Sequence, residues 1–306
     1  MKVRVYAGGS VEFLREGMMH EAKQFRSTAV APGEAWMFRE LQRRDDLTLR
    51  TASGAAVDFL LIPEMGLPGA SYQAAFAVSR KAVEAALHLR YRVFNLELGE
   101  GLASAHETQL DEDEFDRVMT HVVILDGGRR EVVGTYRLQT LEQAARHPVG
   151  SYCARQYDLE PLRPVWGVST ECGRACLAKE HRSPRALLAL WLGIGAFLNL
   201  HRQRYLFGCC SIPSRDPAVG WAAWDMLRKS AAVHPELCLR ARRQFSCGPP
   251  PQRLPEVTLP KLFRVYLRLG AKVVSEPSFD AEFGTVDFLV LLDARQVALS
   301  SLRVVK

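Results

Sequence analysis

The chain has 306 residues, 48% hydrophobic and 24% charged, with a formal net charge of +6. That composition is ordinary for a soluble globular protein with one large or two small cores. The basic balance suits an anionic partner (an acidic carrier protein, an anionic membrane surface or nucleic acid) without choosing among them. The seven cysteines are odd in number and include no CxxC pair, which argues against a disulfide framework and a zinc site and for a reducing cytoplasm. The N-terminus lacks the long apolar core of a signal peptide. The most apolar stretch, ALLALWLGIGAFL (186–198), is too short to span a bilayer and reads as a buried helix.

Residues 1–70 read as an extension of unassigned structure, closed by the Gly- and Pro-bearing segment IPEMGLPGAS (62–71). A strand is expected over 72–79, then a helix over 80–98, where apolar residues recur near helical spacing. A polar loop leads to two strands, THVVILD (120–126) and EVVGTYRLQT (131–140), which DGGRR joins as a hairpin. Helix and loop follow over 141–163, then a strand over 166–178. Pro184 marks the first turn of the next helix. A strand over 204–212 and a helix over 217–232 precede an exposed, basic, Pro-rich loop (239–255). A helix ends at Gly270, and AKVVSEPSF and FGTVDFLVLLD supply the last strands. The order argues for one mixed α/β domain, with no internal repeat.

Charged residues inside apolar elements carry the functional signal. Arg90, Arg137, Glu171 and Arg174 all fall in predicted helix or strand. Strand residues three apart point to opposite faces, so Glu171 and Arg174 cannot both be solvated if one face is covered. Whichever is buried needs a partner. LDEDEFD (110–116) packs five carboxylates into seven positions. As a calcium loop it fails: counted from Asp111, the fifth position is Phe115, the sixth Asp116 and the twelfth Val122, where an oxygen ligand, Gly and Glu are required.

The arrangement RYRVF…LDEDEFD…GTYRL…ECGR resembles the acyl-carrier-protein-dependent branch of the GNAT fold, shared by acyl-homoserine lactone and N-acyl amino acid synthases. A closer resemblance is to the ornithine lipid-type Nα-acyltransferases, often labelled hemolysin-like. LRYRVF, DEFDRVMTHVVILD, VVGTYRLQT, SYCARQYDLEPL, ECGRACLAKEHR, LWLGIGAFL, YLFGCCSIPSRDP and the segment from LPKLFRVYLRLG to DFLVLL carry it, in order, over most of 72–292. Residues 1–70 show no match. CCSIPSRDP departs from the group, which more often has small residues and a Gly-Thr-Asp turn there.

The resemblance implies an α/β GNAT-like domain over 71–306, with a mixed, mostly antiparallel sheet flanked by helices. It implies that Glu171 is a general base or water-positioning acid; the residues alone equally allow a buried ion pair with Arg90, Arg137 or Arg174. Asp113 is either a cradle for the substrate ammonium or a loop cap. Asp111 is a weaker substrate contact, and Asp116 is expected to pair with an arginine. His121 reads as a proton relay or a hydrogen-bonded core histidine. Arg90, Arg137, Arg174 and Ser211 complete the substrate set, with a structural role open for Ser211. Oxyanion donors are expected at Cys176–Leu177, facing Phe207–Ser211 where the fourth and fifth strands of the GNAT sheet part. Arg182, Ser183 and Arg185, at the entry to a helix, are expected to hold the phosphate of a phosphopantetheine arm. The Gly-rich loop of CoA-dependent relatives is missing there, which fits a carrier-protein arm.

The expected activity is transfer of a 3-hydroxyacyl chain from acyl carrier protein to the α-amine of an amino acid, with ornithine foremost and a lyso-ornithine lipid as product. The donor thioester is a substrate, and no bound cofactor or metal is expected. Arg182, Arg185, Arg202, Arg240, Arg242 and Arg243 are candidates for docking the carrier, unless they are merely solvated. A lipid product implies peripheral contact with the inner membrane face; nothing supports a nucleic-acid partner. Another amine acceptor, or a non-catalytic protein on the same scaffold, stands as the alternative.

Overall fold

VVIL (122–125) and FLVLL (288–292) are apolar runs without a polar interruption, and such runs form strands where both sheet faces are covered. The computed structural model, which describes residues 58–62 and 72–297, supplies that cover. In chain order the strands are β1 (Phe59–Leu61), β2 (Tyr72–Ala77), β3 (Thr120–Asp126), β4 (Val132–Thr140), β5 (Ser169–Leu177), β6 (Tyr205–Pro213), β7 (Lys272–Val273), β8 (Ser278–Asp280) and β9 (Thr285–Asp293). The α-helices are α1 (Arg80–Arg90), α2 (Ala105–Thr108), α3 (Leu141–Ala144), α4 (Cys153–Gln156), α5 (Pro184–Leu200), α6 (Ala218–Lys229) and α7 (Lys261–Arg268).

The strands make one sheet in the order β1-β2-β3-β4-β5-β6-β9-β7, with β8 also paired to β9. Every pairing is antiparallel except β5 with β6. Helix α5 crosses β2, β3 and β4. It can lie that close because Gly193 has no Cβ; one would stand 2.5 Å from Val122 Cγ1. Its start is fixed by Ser183, whose Oγ accepts from the Ala186 N–H, followed by Pro184. Leu141, Cys153, Tyr157, Leu162, Phe207 and Leu289 form a second apolar cluster beside the main core. Among the described residues no helix is long and apolar enough to cross a membrane.

Four local features depart from the expected elements. The sheet begins before residue 71: Phe59–Leu61 pairs with β2 as an edge strand, and Ile62 is buried behind it. The rest of the N-terminal extension lies outside the described residues. The helix over 80–98 runs as α only to Arg90 and continues as a π-helix over Tyr91–Leu98. Residues 166–168 belong to a 3-10 segment (Glu160–Val168), and the strand starts at Ser169. AKVVSEPSF splits into β7 and β8, with Pro277, which lacks a ladder donor, between them.

Candidate active site

Two irregularities in the sheet build the site. Pairing of β5 with β6 covers only Ser169–Glu171 against Tyr205–Phe207. Beyond Glu171 the two strands part. Gly208 sits at the fork, where a Cβ would fall 2.2 Å from the Cys172 carbonyl oxygen. The second irregularity is a bulge: Thr135 pairs with Cys176 but Arg137 with Gly173, so β5 carries one extra residue there. Arg174 lies in that stretch with φ of +52°, in the left-handed region. The bulge cancels the alternation expected of residues three apart, and Glu171 and Arg174 line the same cleft.

That cleft has a volume of about 410 Å3. Its polar wall includes Glu171, Arg174, Arg137, Ser211 and Asp287; its apolar wall includes Phe94, Leu98, Leu262, Phe263, Tyr266 and Phe283. The π-helical turn brings Phe94 and Leu98 to the wall.

Glu171 is 1% exposed and paired with no arginine. Four neutral donors hold it. Oε1 accepts from Ser151 Oγ at 2.9 Å and the Cys153 N–H at 2.6 Å; Oε2 accepts from Gln139 Nε2 at 2.7 Å and the Tyr152 N–H at 3.2 Å. A carboxylate has about four acceptor positions, and this set fills them. The ion pair with an arginine that the sequence allows as an alternative for Glu171 is absent because Arg90 and Arg137 have nearer acids.

Those acids are the LDEDEFD group. Arg90 is buried and donates through Nε and Nη2 to Asp111 Oδ1, and through Nη1 and Nη2 to Asp116. Arg137 donates to Asp113 at 2.5 Å and Asp116 at 2.9 Å. Asp113 also caps the 3-10 turn Glu114–Arg117, accepting from the Phe115 N–H, while the Asp116 carboxylate accepts from the Asp113 N–H. Arg90 and Arg137 hold the Asp116 carboxyl well below the usual carboxylate range against the opposing effect of burial. Asp113, for which the sequence allows an ammonium cradle or a loop cap, takes the cap position, and with Asp111, the weaker substrate contact, it belongs to an internal ion cluster. Neither lines the cleft. Glu112 pairs with Arg80, and Glu114 with Arg155.

His121 stands behind the same cluster, buried, with Nε2 3.2 Å from the Asp116 carbonyl oxygen. Burial pushes its pKa down to about 4. It does not reach the cleft, so the packing matches the core-histidine alternative. Ser211 does line the cleft, opposite Asp287 on β9.

Near the carrier-arm residues, Cys176 and Leu177 are taken up in pairing with Thr135 and Gly134 of β4. The opening of the sheet falls earlier, at Cys172–Ala175. Arg182 donates to both oxygens of Glu97 and to the Leu177 carbonyl. Ser183 is the α5 cap, and Arg185 is exposed.

Sequence reasoning missed Gln139, Ser151, Tyr152 and Cys153, the donors to Glu171, and Asp287. Only Asp287 carried a signal: it is an acid inside the apolar strand TVDFLVLLD. The partners of Glu171 come from strand β4, a loop and the start of a short helix, with no distinguishing pattern.

Residues 89–192 match the model described as "Acetyltransferase (GNAT) domain". The chain is 32% identical over 245 residues to the L-ornithine N(alpha)-acyltransferase of Rhodobacter capsulatus, covering 74% of this chain and 92% of that one. It is likewise 32% identical to the protein of the same name from Brucella abortus, covering 74% and 86%. Among solved structures, TofI in a ternary complex with an inhibitor and MTA aligns with 81% of this chain and 97% of its own, at 16% identity and a TM-score of 0.41. The GNAT-like sheet expected from the sequence is the sheet found.

Proposed function

Because the chain belongs to the L-ornithine N(alpha)-acyltransferase family, and is thereby an N-acyltransferase, we propose that it moves a fatty acyl group, as its 3-hydroxyacyl form, from acyl carrier protein to the α-amine of L-ornithine, releasing a lyso-ornithine lipid. The observation that carries this reading is a buried carboxylate, Glu171, held by four neutral donors where two strands part onto a cleft with one polar and one apolar wall.

The chemistry follows from those parts. The α-amine attacks the thioester carbonyl; the new N–C bond forms as the carbonyl oxygen takes negative charge and nitrogen takes positive charge. Past Glu171 and Phe207 the facing edges of β5 and β6 no longer pair with each other, which supports N–H donation to the oxyanion there. Glu171, its acceptor positions already filled, acts as a fixed negative charge that favours the developing N–H+ rather than as a free base. The free α-amine has a pKa of about 8, so a reactive neutral fraction exists near neutrality. Collapse breaks the C–S bond, and the proton leaving nitrogen compensates the thiolate. Asp111, Asp113, Asp116, Arg90 and His121 act as the buttress that positions Arg137 on the cleft wall. Phe94, Leu98, Leu262 and Phe263 suit the acyl chain, and a lipid product suits peripheral contact with a membrane face.

The test is acyl carrier thioester incubated with single amino acids and read by mass spectrometry. N-acylornithine is the expected product; absence of any N-acyl product with ornithine sinks the reading. Glu171→Gln should lower kcat on the order of 100- to 1000-fold with little change in the ornithine KM.

A further inference from the structure

Asp287 is a buried acid of the cleft that keeps one unpaired oxygen. It lies in β9, 3% exposed, on the polar wall. Its Oδ2 accepts from Gln156 Nε2 at 2.9 Å and Thr285 Oγ1 at 3.3 Å, but no donor meets Oδ1 with hydrogen-bond geometry. Burial pushes the Asp287 carboxyl up, against the opposing effect of the neighbouring Ser211 and Gln156 side chains. A buried carboxylate left half unpaired is costly, and a cation placed at the open oxygen removes that cost.

The opposite orphan stands in the same cleft. Arg174 Nη2 is buried with no acceptor. The guanidinium is fixed by Phe94 and Phe283, whose ring centres are 5.5 and 5.2 Å away, and its Nε is 3.6 Å from Asp111. The bulge that puts Arg174 at positive φ is what turns it into the cleft. Arg137, also on the wall, has a buried Nε without a partner. Cys209 connects the Asp287 and Glu171 parts of the wall: its Sγ is 3.7 Å from Cys153 Sγ and 3.3 Å from Gln156 Oε1, Cys153 N–H binds Glu171 and Gln156 binds Asp287. The buried unmet atoms of the lining are therefore one carboxylate oxygen and two guanidinium nitrogens, with Glu171 on the same wall.

We propose that Asp287 is the specificity-determining residue for the acceptor, holding the side-chain ammonium of a basic amino acid while Arg174 takes its α-carboxylate. The assignment rests on the acyltransferase reading above. A neutral side chain of equal length leaves Asp287 Oδ1 unpaired and loses the ion pair, which selects for a second amine. An Arg–carboxylate contact at the other end orients the α-amine toward the β5–β6 fork.

The experiment titrates the full chain, without donor, with ornithine and with norvaline, which has the same carbon chain and no second amine. The wild type should bind ornithine at least about tenfold more tightly. Asp287→Asn should bring the ratio near one while the norvaline Kd moves less than about threefold; Glu100→Gln, an acid elsewhere on the wall, should keep the preference. Asp287→Glu is the second variant: its carboxylate reaches one methylene further and should shift preference toward the diamino acid one carbon shorter than ornithine, which a purely structural role does not produce. A wild type without preference, an unchanged ratio in Asp287→Asn, or loss of preference in Glu100→Gln alone overturns the assignment. Selective binding with no acylated product in the complete assay instead counts against the acyltransferase reading and leaves Asp287 as a basic amino-acid site.

Discussion

Arg90 and its two acids show how charge is tolerated at almost no exposure. Arg90 is 1% exposed and Asp111 0%. Removing one member of such a group strands the others, so the cluster is held by mutual need rather than by surplus stability. His121 sits against it as a neutral side chain, since burial pushes its pKa to about 4 while an unfolded histidine titrates near 6.5. The sign follows from proton counting. Between pH about 6.5 and about 4 the unfolded chain binds a proton at His121 that the folded chain refuses, so stability falls as pH drops through that window. The loss is on the order of 3 kcal/mol. Asp116, whose carboxyl is depressed, acts in a lower window: its contribution is present above the ordinary Asp pKa of about 4 and is lost as pH falls further. Urea midpoints from pH 7 to pH 4.5 should therefore decline in the wild type and decline less steeply in His121→Asn. His201 and His234, also pushed down by burial, retain part of the slope. Parallel curves for the two proteins would remove His121 from this account.

The elements that shape the cleft are set by two glycines with opposite environments. A Cβ on Gly208 meets the Cys172 carbonyl oxygen at 2.2 Å, a backbone atom that cannot swing away. A Cβ on Gly173, on the neighbouring strand, meets nothing within 4 Å. Gly208→Ala should destabilise by about 1–3 kcal/mol through overpacking, whereas Gly173→Ala should stay within about 0.5 kcal/mol of wild type. Thermal melts of the two variants compare them directly; equal shifts would show that the fork is not a tight contact. The strands themselves were readable from apolar runs: THVVILD is β3 with both ends as expected. The fork and the bulge were not, because register depends on which edges pair, and the ECGR pattern carries no mark of an inserted residue. The same limit hid the roles of LDEDEFD. Five acids in seven positions announce a cation, but whether the cation is a substrate amine or Arg90 is decided by the distance between α1 and the loop. Glu171 and Arg174 were found from charge in an apolar strand; Gln139 and Ser151 were not, being polar residues of ordinary kind brought near only by folding.

At the scale of the molecule the net charge of +6 is a statement about encounter rather than fold. The arginines expected to dock a carrier are not equivalent. Arg182 is occupied by Glu97, and Arg242 Nε by the Ala154 carbonyl. Arg185, Arg240 and Arg243 are exposed. Arg240 and Arg243 belong to a segment tied by backbone hydrogen bonds to Gln156 and Asp158, beside the Glu171 wall. Exposed charges of this kind attract an acidic partner over about 10 Å at 0.1 M salt and over less at higher salt. Raising salt from 50 to 500 mM should increase the KM for a carrier-bound donor on the order of tenfold with kcat nearly unchanged. The same acyl group on free pantetheine, which has no acidic surface, should show little salt dependence of KM. Arg240→Glu with Arg243→Glu should raise the carrier KM at low salt and flatten its salt response, leaving the pantetheine thioester unaffected. Equal salt sensitivity of the two donors would place the effect inside the cleft and remove the docking role from the basic surface.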